Sequence, residues 1–328
     1  MAIASHPITA KAHTNIALVK YWGKLDQQLI IPQNDSLSIT LDEFYSETSV
    51  QFLPSLTNDE VTFDQQRLAD QASLKIRRFL DGVRQLAGVS ERAKVVTHNH
   101  VPTSAGLASS ASGFAALAGA ASRAAGLKLS RRELSRLARR GSGSATRSIY
   151  GGFVAWQQGH DDATSFAYPI DENPDWDIAI VALVLAKQQK KISSRQGMRL
   201  AVETSPFYPA WITTSKTDFA TVKRSISDRN FDLLGHTSEQ NAMRMHALTL
   251  SSDPSFTYFN ADSLQAMDMV RDLRLQGLHC YFTMDAGPNV KIICRGVDAP
   301  RIATAFQKRF GPDNVLVTRP GAGITITE

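Results

Sequence analysis

Three widely separated clusters carry the side chains able to do chemistry in this chain. In the first, the run Pro102-Thr103-Ser104-Ala105-Gly106-Leu107-Ala108-Ser109-Ser110-Ala111-Ser112-Gly113 leads into the alanine-rich stretch 114–121. A helix start leaves backbone N–H groups unpaired and carries partial positive charge. Small side chains let an anion approach that backbone, so Gly106, Leu107, Ala108, Ser109, Ser110 and Ser112 are candidates for a phosphate cradle. A glycine-capped, tightly packed core helix is the alternative. In the second cluster, Arg147 follows Gly141-Ser142-Gly143-Ser144. Small hydroxyl residues beside a guanidinium make an anion pocket suited to two-pronged carboxylate binding. A surface arginine at a basic helix end, with Arg139 and Arg140, is the alternative. In the third, Asp285 lies between the apolar run 281–283 and a Gly287-Pro288 turn. Such a carboxylate can accept a hydroxyl proton or hold that hydroxyl in line with a γ-phosphate. Capping its own turn at Gly287 and Asn289 is the competing role.

Two further blocks add charge and donors. Tyr21-Trp22-Gly23-Lys24 offers a phenol and an ammonium for phosphate, with Trp22 assigned to packing. Lys187, Lys190 and Lys191 read as a solvated face ahead of Ile192-Ser193-Ser194-Arg195-Gln196-Gly197-Met198. His98 and His100 share one strand face but have no recognisable third ligand, so no metal site held by protein ligands is expected. Neither a G-x-x-x-x-G-K-[ST] loop nor a dinucleotide G-x-G-x-x-G fingerprint occurs.

The ordered set of motifs resembles the diphosphomevalonate decarboxylase family of the GHMP kinase superfamily. The likeness is carried by Ala12–Lys24, Leu29–Ser38, the Gly106–Ala111 loop, Arg139–Ser148, Tyr150–Phe153 and Phe282–Val290. It implies an active site in a cleft between two domains and ATP-dependent decarboxylation of (R)-5-diphosphomevalonate to isopentenyl diphosphate. Asp285, Arg147 and Lys24 would be catalytic. Tyr21, Lys24, Ser142, Gly143, Ser144, Arg147, Ser194 and Arg195 would hold the substrate. Asn99 and the phosphate loop would hold ATP, with Mg²⁺ bridging its phosphates. A GHMP-family kinase or decarboxylase acting on mevalonate or phosphomevalonate is the alternative; the diphosphate-gripping set Tyr21, Lys24, Ser142 and Arg195 speaks against it. The family also implies a homodimer.

Composition bounds the reading. The 328 residues are 43% hydrophobic and 20% charged, as in a globular chain long enough for two domains. The net charge of +5 suits anionic small-molecule partners. Without a dense basic run interleaved with aromatics, nucleic acid is not expected. The pair Cys280 and Cys294 lacks disulfide or metal spacing and suggests buried thiols in a reducing cytoplasm. Residues 1–15 hold no apolar signal core, and no apolar run is long enough for a membrane span.

These clusters need elements to position them. Strands are expected at 48–53, 60–63, 94–97, 151–156, 176–185, 280–284, 290–294, 315–318 and 323–327. Helices are expected at 69–87, with Leu74, Ile76, Phe79, Leu80 and Val83 inward, and at 110–126, 215–226, 229–249 and 261–276. A capping box, Ser130 with Glu133, opens a helix ending near 139–141. The class is α+β. We expect an ATP-binding domain over 1–187 and a C-terminal α+β domain over 188–328 that carries Asp285.

Overall fold

The computed structural model describes residues 3–100, 109–185 and 191–328, and the backbone but not the side chain of Ser109. Gly106, Leu107, Ala108, Lys187 and Lys190 lie outside the described residues. The architecture is α+β, as expected. Its eight helices among the described residues are α1 (Asp70–Ala87), α2 (Ser109–Ala124), α3 (Arg131–Gly141), α4 (Ser194–Thr204), α5 (Tyr208–Ser227), α6 (Phe231–Leu250), α7 (Ala261–Leu275) and α8 (Ala299–Phe310). A 3₁₀ helix, Gly143–Ile149, follows α3 directly.

An eight-stranded, largely antiparallel sheet is built around Ile8–Val19 and the long strand Ser36–Leu53. Residues 48–53 are the expected part of that long strand, although residues 36–41 alternate in sequence as well. Its first half buries Ser36, Ser38 and Thr40 almost completely, so polar residues occupy interior positions there. One face of the sheet packs on α1, α2 and α3 through an alanine-rich core. Small side chains let α2 lie close to the sheet; a Cβ on Gly119 would strike Ile324 at 2.6 Å.

A second, four-stranded antiparallel sheet runs Cys280–Met284, Val290–Arg295, Ile178–Leu183, Val315–Thr318. Helices α7 and α8 cover one face. The other face, with α5 and α6, shares a core with the first sheet through Leu18, Leu37 and Phe153. Ile178–Leu183 belongs to this second sheet, and Thr325–Thr327 returns to pair with Ile8–Val19. The chain therefore passes from the first sheet to the second between Asp171 and Ile178.

Several expectations need correction. Helix α5 begins at Tyr208 instead of residue 215, because Pro209 suits a first helical turn. Helices α4 and α8 were not expected: α4 carries the Ser194-Arg195 motif, and α8 sits between short loops. Leu74 points outward from α1 and is 44% exposed, while Phe79, Leu80 and Val83 are buried as expected. The capping box on Ser130 forms.

Candidate active site

Strand alternation brings Asp285 to the site. Along Cys280–Met284, Cys280, Phe282 and Met284 enter the α7–α8 core, so Tyr281 and Thr283 face the opposite way. Asp285 continues that second face at the strand end. On the neighbouring strand Lys291 lies opposite Thr283, which sets its ammonium diagonally beside Asp285. The Lys291 Nζ is 3.3 Å from Asp285 Oδ2. From the other end of the chain, Lys20 Nζ reaches Asp285 Oδ1 at 2.8 Å. Both lysine side chains are 3% exposed and the carboxylate side chain 34%. Burial alone raises the Asp285 carboxyl, but the two ammoniums outweigh it and hold it well below the usual carboxylate range. Burial pulls Lys20 down to about 8 despite Asp285, with Lys291 and Arg147 pushing the same way.

Lys20 is itself tied in place. Its Nζ donates to Ala17 O at 2.7 Å, and its backbone N–H donates to Asn241 Oδ1 on α6 at 2.8 Å. Asn34 donates to its carbonyl. The next turn is fixed by Tyr208 and Trp211, which both donate to Trp22 O. Gly23 takes φ 108° with the Tyr208 hydroxyl against it, a place no side chain fits. That turn delivers Lys24.

Arg147 is 2% exposed, which removes the surface reading. The 3₁₀ helix is anchored by Asn15, whose Nδ2 donates to Ser144 O and Ser148 Oγ. A register shift between His13 and Asn15 turns the asparagine toward that helix. Asn15 Oδ1 accepts from Arg147 Nε at 3.3 Å and Nη2 at 3.2 Å, and Ser36 Oγ accepts from Nη1 at 2.6 Å. These three bonds use three of the five guanidinium donors, and all go to neutral acceptors. By contrast, Arg136, Arg139 and Arg140 each reach the Asp162 carboxylate, so each already has an anionic partner, although one carboxylate offsets only one of the three charges.

A cavity of about 510 Å³ joins these groups. Its walls bring together Asp285, Arg147, Tyr21, Lys24, Ser142, Gly143, Ser144, Ser194, Arg195 and Ser110. Gly143 admits no Cβ, since Tyr21 and Trp156 stand 2.6 and 3.0 Å from where it would be. The hydroxyls of Ser110, Ser142 and Ser144 follow one another at 3.4 Å steps. The Tyr21 hydroxyl is buried without a partner among the described residues, and burial drives its pKa up. Helix α4 starts at this wall, capped by Ser193, which turns the positive end of its dipole toward the cavity. Among the described residues the lining holds five cations, namely Lys20, Lys24, Lys75, Arg147 and Arg195, against the single carboxylate of Asp285. Burial and then Arg195 pull Lys24 down to about 8. A cavity with this balance of charge is built for a polyanion.

Two expected nucleotide residues lie elsewhere. Ser112 is fully buried, its hydroxyl bonded to Ser46 at 2.8 Å and Thr14 at 3.3 Å, so it is turned into the helix–sheet interface. Asn99 is outside the cavity wall; its Oδ1 accepts from Ser46 Oγ at 2.9 Å. Lys20, Asn15, Ser36, Lys75 and Lys291 are the site residues the sequence reading missed. Lys20 and Asn15 stand inside the quoted Ala12–Lys24 block, which was the available signal. For Lys291 the signal was strand alternation, one residue past Asn289-Val290. Among the described residues no group of three or more His, Cys, Asp or Glu gathers as a metal cage, and no helix is long and apolar enough to cross a membrane.

Comparison with known proteins gives the site a context. Residues 12–167 match the family described as diphosphomevalonate decarboxylase-like N-terminal domain. Residues 180–321 match the mevalonate 5-diphosphate decarboxylase C-terminal domain. Diphosphomevalonate decarboxylase of Ganoderma lucidum is 37% identical over 92% of this chain and 82% of its own length. The Homo sapiens enzyme is 36% identical over 93% and 81%. Among solved structures, mevalonate diphosphate decarboxylase from Staphylococcus aureus superposes with TM-score 0.95 at 45% identity, covering 98% of both chains. A structure described as a complex with MVAPP, AMPPCP and magnesium gives TM-score 0.95 at 46% identity, over 98% of this chain and 99% of that one. With both halves matched in order and nearly the whole length covered, the chain belongs to the diphosphomevalonate decarboxylase family.

Proposed function

We propose that this protein phosphorylates and decarboxylates (R)-5-diphosphomevalonate at the expense of ATP, releasing isopentenyl diphosphate, ADP, phosphate and carbon dioxide. The observation that carries this is the cavity itself: one carboxylate clamped between two ammoniums, a buried arginine with unused donors, and a cationic far wall. A substrate with a carboxylate at one end and a diphosphate at the other meets a matching charge at each end. Arg147 would grip the carboxylate with its two remaining N–H groups, pre-oriented by Asn15 and Ser36. Lys24, Arg195, Tyr21, Ser142, Ser144 and the start of α4 would hold the diphosphate. This end of the site favours a diphosphate over mevalonate or phosphomevalonate, since fewer anionic charges would leave Lys24, Lys75 and Arg195 unmatched.

Asp285 would contact the C3 hydroxyl. Held ionised by Lys20 and Lys291, it is a weak base, so its main work is to aim the hydroxyl oxygen at the γ-phosphate. The γ-phosphoryl moves to that oxygen as its bond to ADP breaks, and the hydroxyl proton is lost to Asp285 or solvent late in the transfer; this turns a poor leaving group into a good one. As phosphate departs, the C3–O bond breaks and positive character grows at C3. The electron pair of the carboxylate C–C bond then moves in to form the double bond, releasing carbon dioxide. The negative charge of Asp285 favours that transition state. ATP phosphates would lie at the α2 entrance, near Ser110. Among the described residues the Ser110 hydroxyl is a candidate to join a Mg²⁺ that enters on the nucleotide phosphates. When bound, the ion neutralises phosphate charge.

We extend the reading, on family likeness, to an ATP-binding N-terminal unit, a C-terminal unit carrying Asp285, and a cytoplasmic homodimer, which sedimentation and fractionation test. The central experiment follows carbon dioxide release from diphosphomevalonate. It should require ATP, and a non-hydrolysable analogue should leave the substrate intact. Carbon dioxide release without ATP would overturn the order of steps.

A further inference from the structure

Helix α6 runs alongside the strand Cys280–Met284 and meets it at successive turns. Gly235 packs on the Tyr281 ring, and Glu239 Oε2 accepts from the Phe282 N–H at 3.0 Å. Farther along, Asn241 binds the Lys20 backbone and Met245 lines the active-site cavity. The next residue, His246, stands beside the strand end, where Lys20, Asp285, Lys291 and the Met284 backbone all act on its ring. No step of the proposed reaction uses it.

The imidazole is 1% exposed. Its centroid lies 4.5 Å from that of the Phe259 ring, and it meets Tyr258 edge-on at 6.1 Å, so packing fixes the ring plane. A phenylalanine would fill this aromatic corner at no polar cost, yet both histidine nitrogens are buried without a partner among the described residues. Buried polar groups nearly always find one, in protein or in ordered water. Burial first, and then the Lys20 charge, pull the ring down to about 3 against the opposing effect of Asp285. The neutral ring therefore has one nitrogen that donates and one that accepts. Thr283 Oγ1, on the strand face turned away from the α7–α8 core, is a second buried polar atom without a partner among the described residues. The donor left to match them is the Lys20 ammonium. It gives one N–H to Ala17 O and one to Asp285 Oδ1, so a third remains.

We propose that His246 is a positioning residue for Lys20: through one buried water, its unprotonated ring nitrogen accepts the third N–H of the ammonium and holds it against Asp285. Neither ring nitrogen reaches Lys20 directly, which makes a water the bridge. The ring N–H is left to the Met284 carbonyl, at the end of the strand that carries Asp285. A neutral acceptor suits this place. A carboxylate there would share the Lys20 charge and loosen its hold on Asp285, whereas an imidazole fixes the direction of the ammonium and brings no rival charge. Its effect on turnover rests on the role of Asp285 in aiming the C3 hydroxyl.

The test has a kinetic and a crystallographic arm. His246→Phe keeps a ring against Phe259 and Tyr258 but removes the acceptor. Its kcat for carbon dioxide release should fall about tenfold, the worth of a water-mediated hydrogen bond to a charged group, with KM for diphosphomevalonate and for ATP within about twofold of the parent. His246→Asn and His246→Gln each return an amide oxygen, one at the reach of Nδ1 and the other at that of Nε2, and one of the two should recover most of the lost kcat. A phenylalanine variant that turns over like the parent, or amide variants no better than it, would overturn the role. A high-resolution crystal structure of the parent should show a water within hydrogen-bond distance of both a His246 ring nitrogen and Lys20 Nζ. Clear density with no water there would overturn the bridge. The crystallographic arm needs no turnover, so it separates failure of the bridge from failure of the proposed reaction.

Discussion

Replacing Asp285 by Asn separates the charge of this side chain from its shape. The carboxylate meets Lys20 at 2.8 Å and Lys291 at 3.3 Å, and both ammoniums are 3% exposed. Asparagine can still touch the C3 hydroxyl but leaves two buried cations without their counter-ion. Removing one partner of a buried pair costs about 3–5 kcal/mol in general; here the carboxylate is one-third exposed, so about 2–3 kcal/mol is expected near neutral pH. Turnover should fall by about three orders of magnitude, because the lost interaction acts mainly in the transition state, while KM should change little. The stability loss carries its own signature. Lys20 already titrates at about 8, below its ordinary 10.5, and loss of Asp285 lowers it further. A native pKa below the unfolded one means the unfolded chain binds more protons in that interval, so stability rises with pH across it. In the variant the interval begins at lower pH. Its deficit relative to the parent should therefore be largest on the acid side and shrink as pH rises toward about 8. Denaturant unfolding of parent and variant from about pH 6 to about pH 9 reads this directly. Near-parent turnover would remove Asp285 from the chemistry. A deficit that is constant across pH would refute the buried ion-pair argument.

Arg147→Lys keeps the charge but loses the fork that spans Asn15, Ser36 and the substrate carboxylate; kcat/KM should drop by about ten- to a hundredfold, the worth of one charge-assisted hydrogen bond. A lysine variant that releases carbon dioxide like the parent would refute the clamp. Because Lys24 is pulled down to about 8, the diphosphate grip is fully charged below that pH and weakens above it. The pH profile of kcat/KM, which reports the free enzyme, should decline through about pH 8, chiefly through KM; a flat profile to well above that pH would contradict the assignment. Ser110→Ala should raise the KM for ATP more than that for diphosphomevalonate, and steady-state titration of each substrate separates the two.

Chain-local physics was legible in the sequence. The capping box on Ser130, the core side of α1 at Phe79, Leu80 and Val83, and the strands that flank Asp285 follow from periodicity and turn chemistry within a few residues. The motif blocks also named the cavity residues Asp285, Arg147, Tyr21, Lys24, Ser142, Ser144 and Arg195, because a site that binds polyanions needs those residue types beside small, hydroxyl-rich segments. Tertiary structure alone decided between the paired meanings each motif carried. Whether Arg147 is solvated or a buried clamp depends on Asn15 and Ser36, more than a hundred positions away in the chain. Whether Asp285 caps its turn or faces substrate depends on Lys20, at the opposite end of the chain, and on Lys291 across the sheet. Ser112 shows the opposite outcome: its type and place suited a phosphate, yet the approach of Ser46 and Thr14 turned its hydroxyl inward. Lys20 is the sharpest case. A lysine at the end of an apolar strand reads as an ordinary exposed terminus, and only the packing of two sheets around α6 buries it and sets its charge against the carboxylate. Such contacts depend on which distant surfaces meet, a property that neither periodicity nor spacing along the chain encodes.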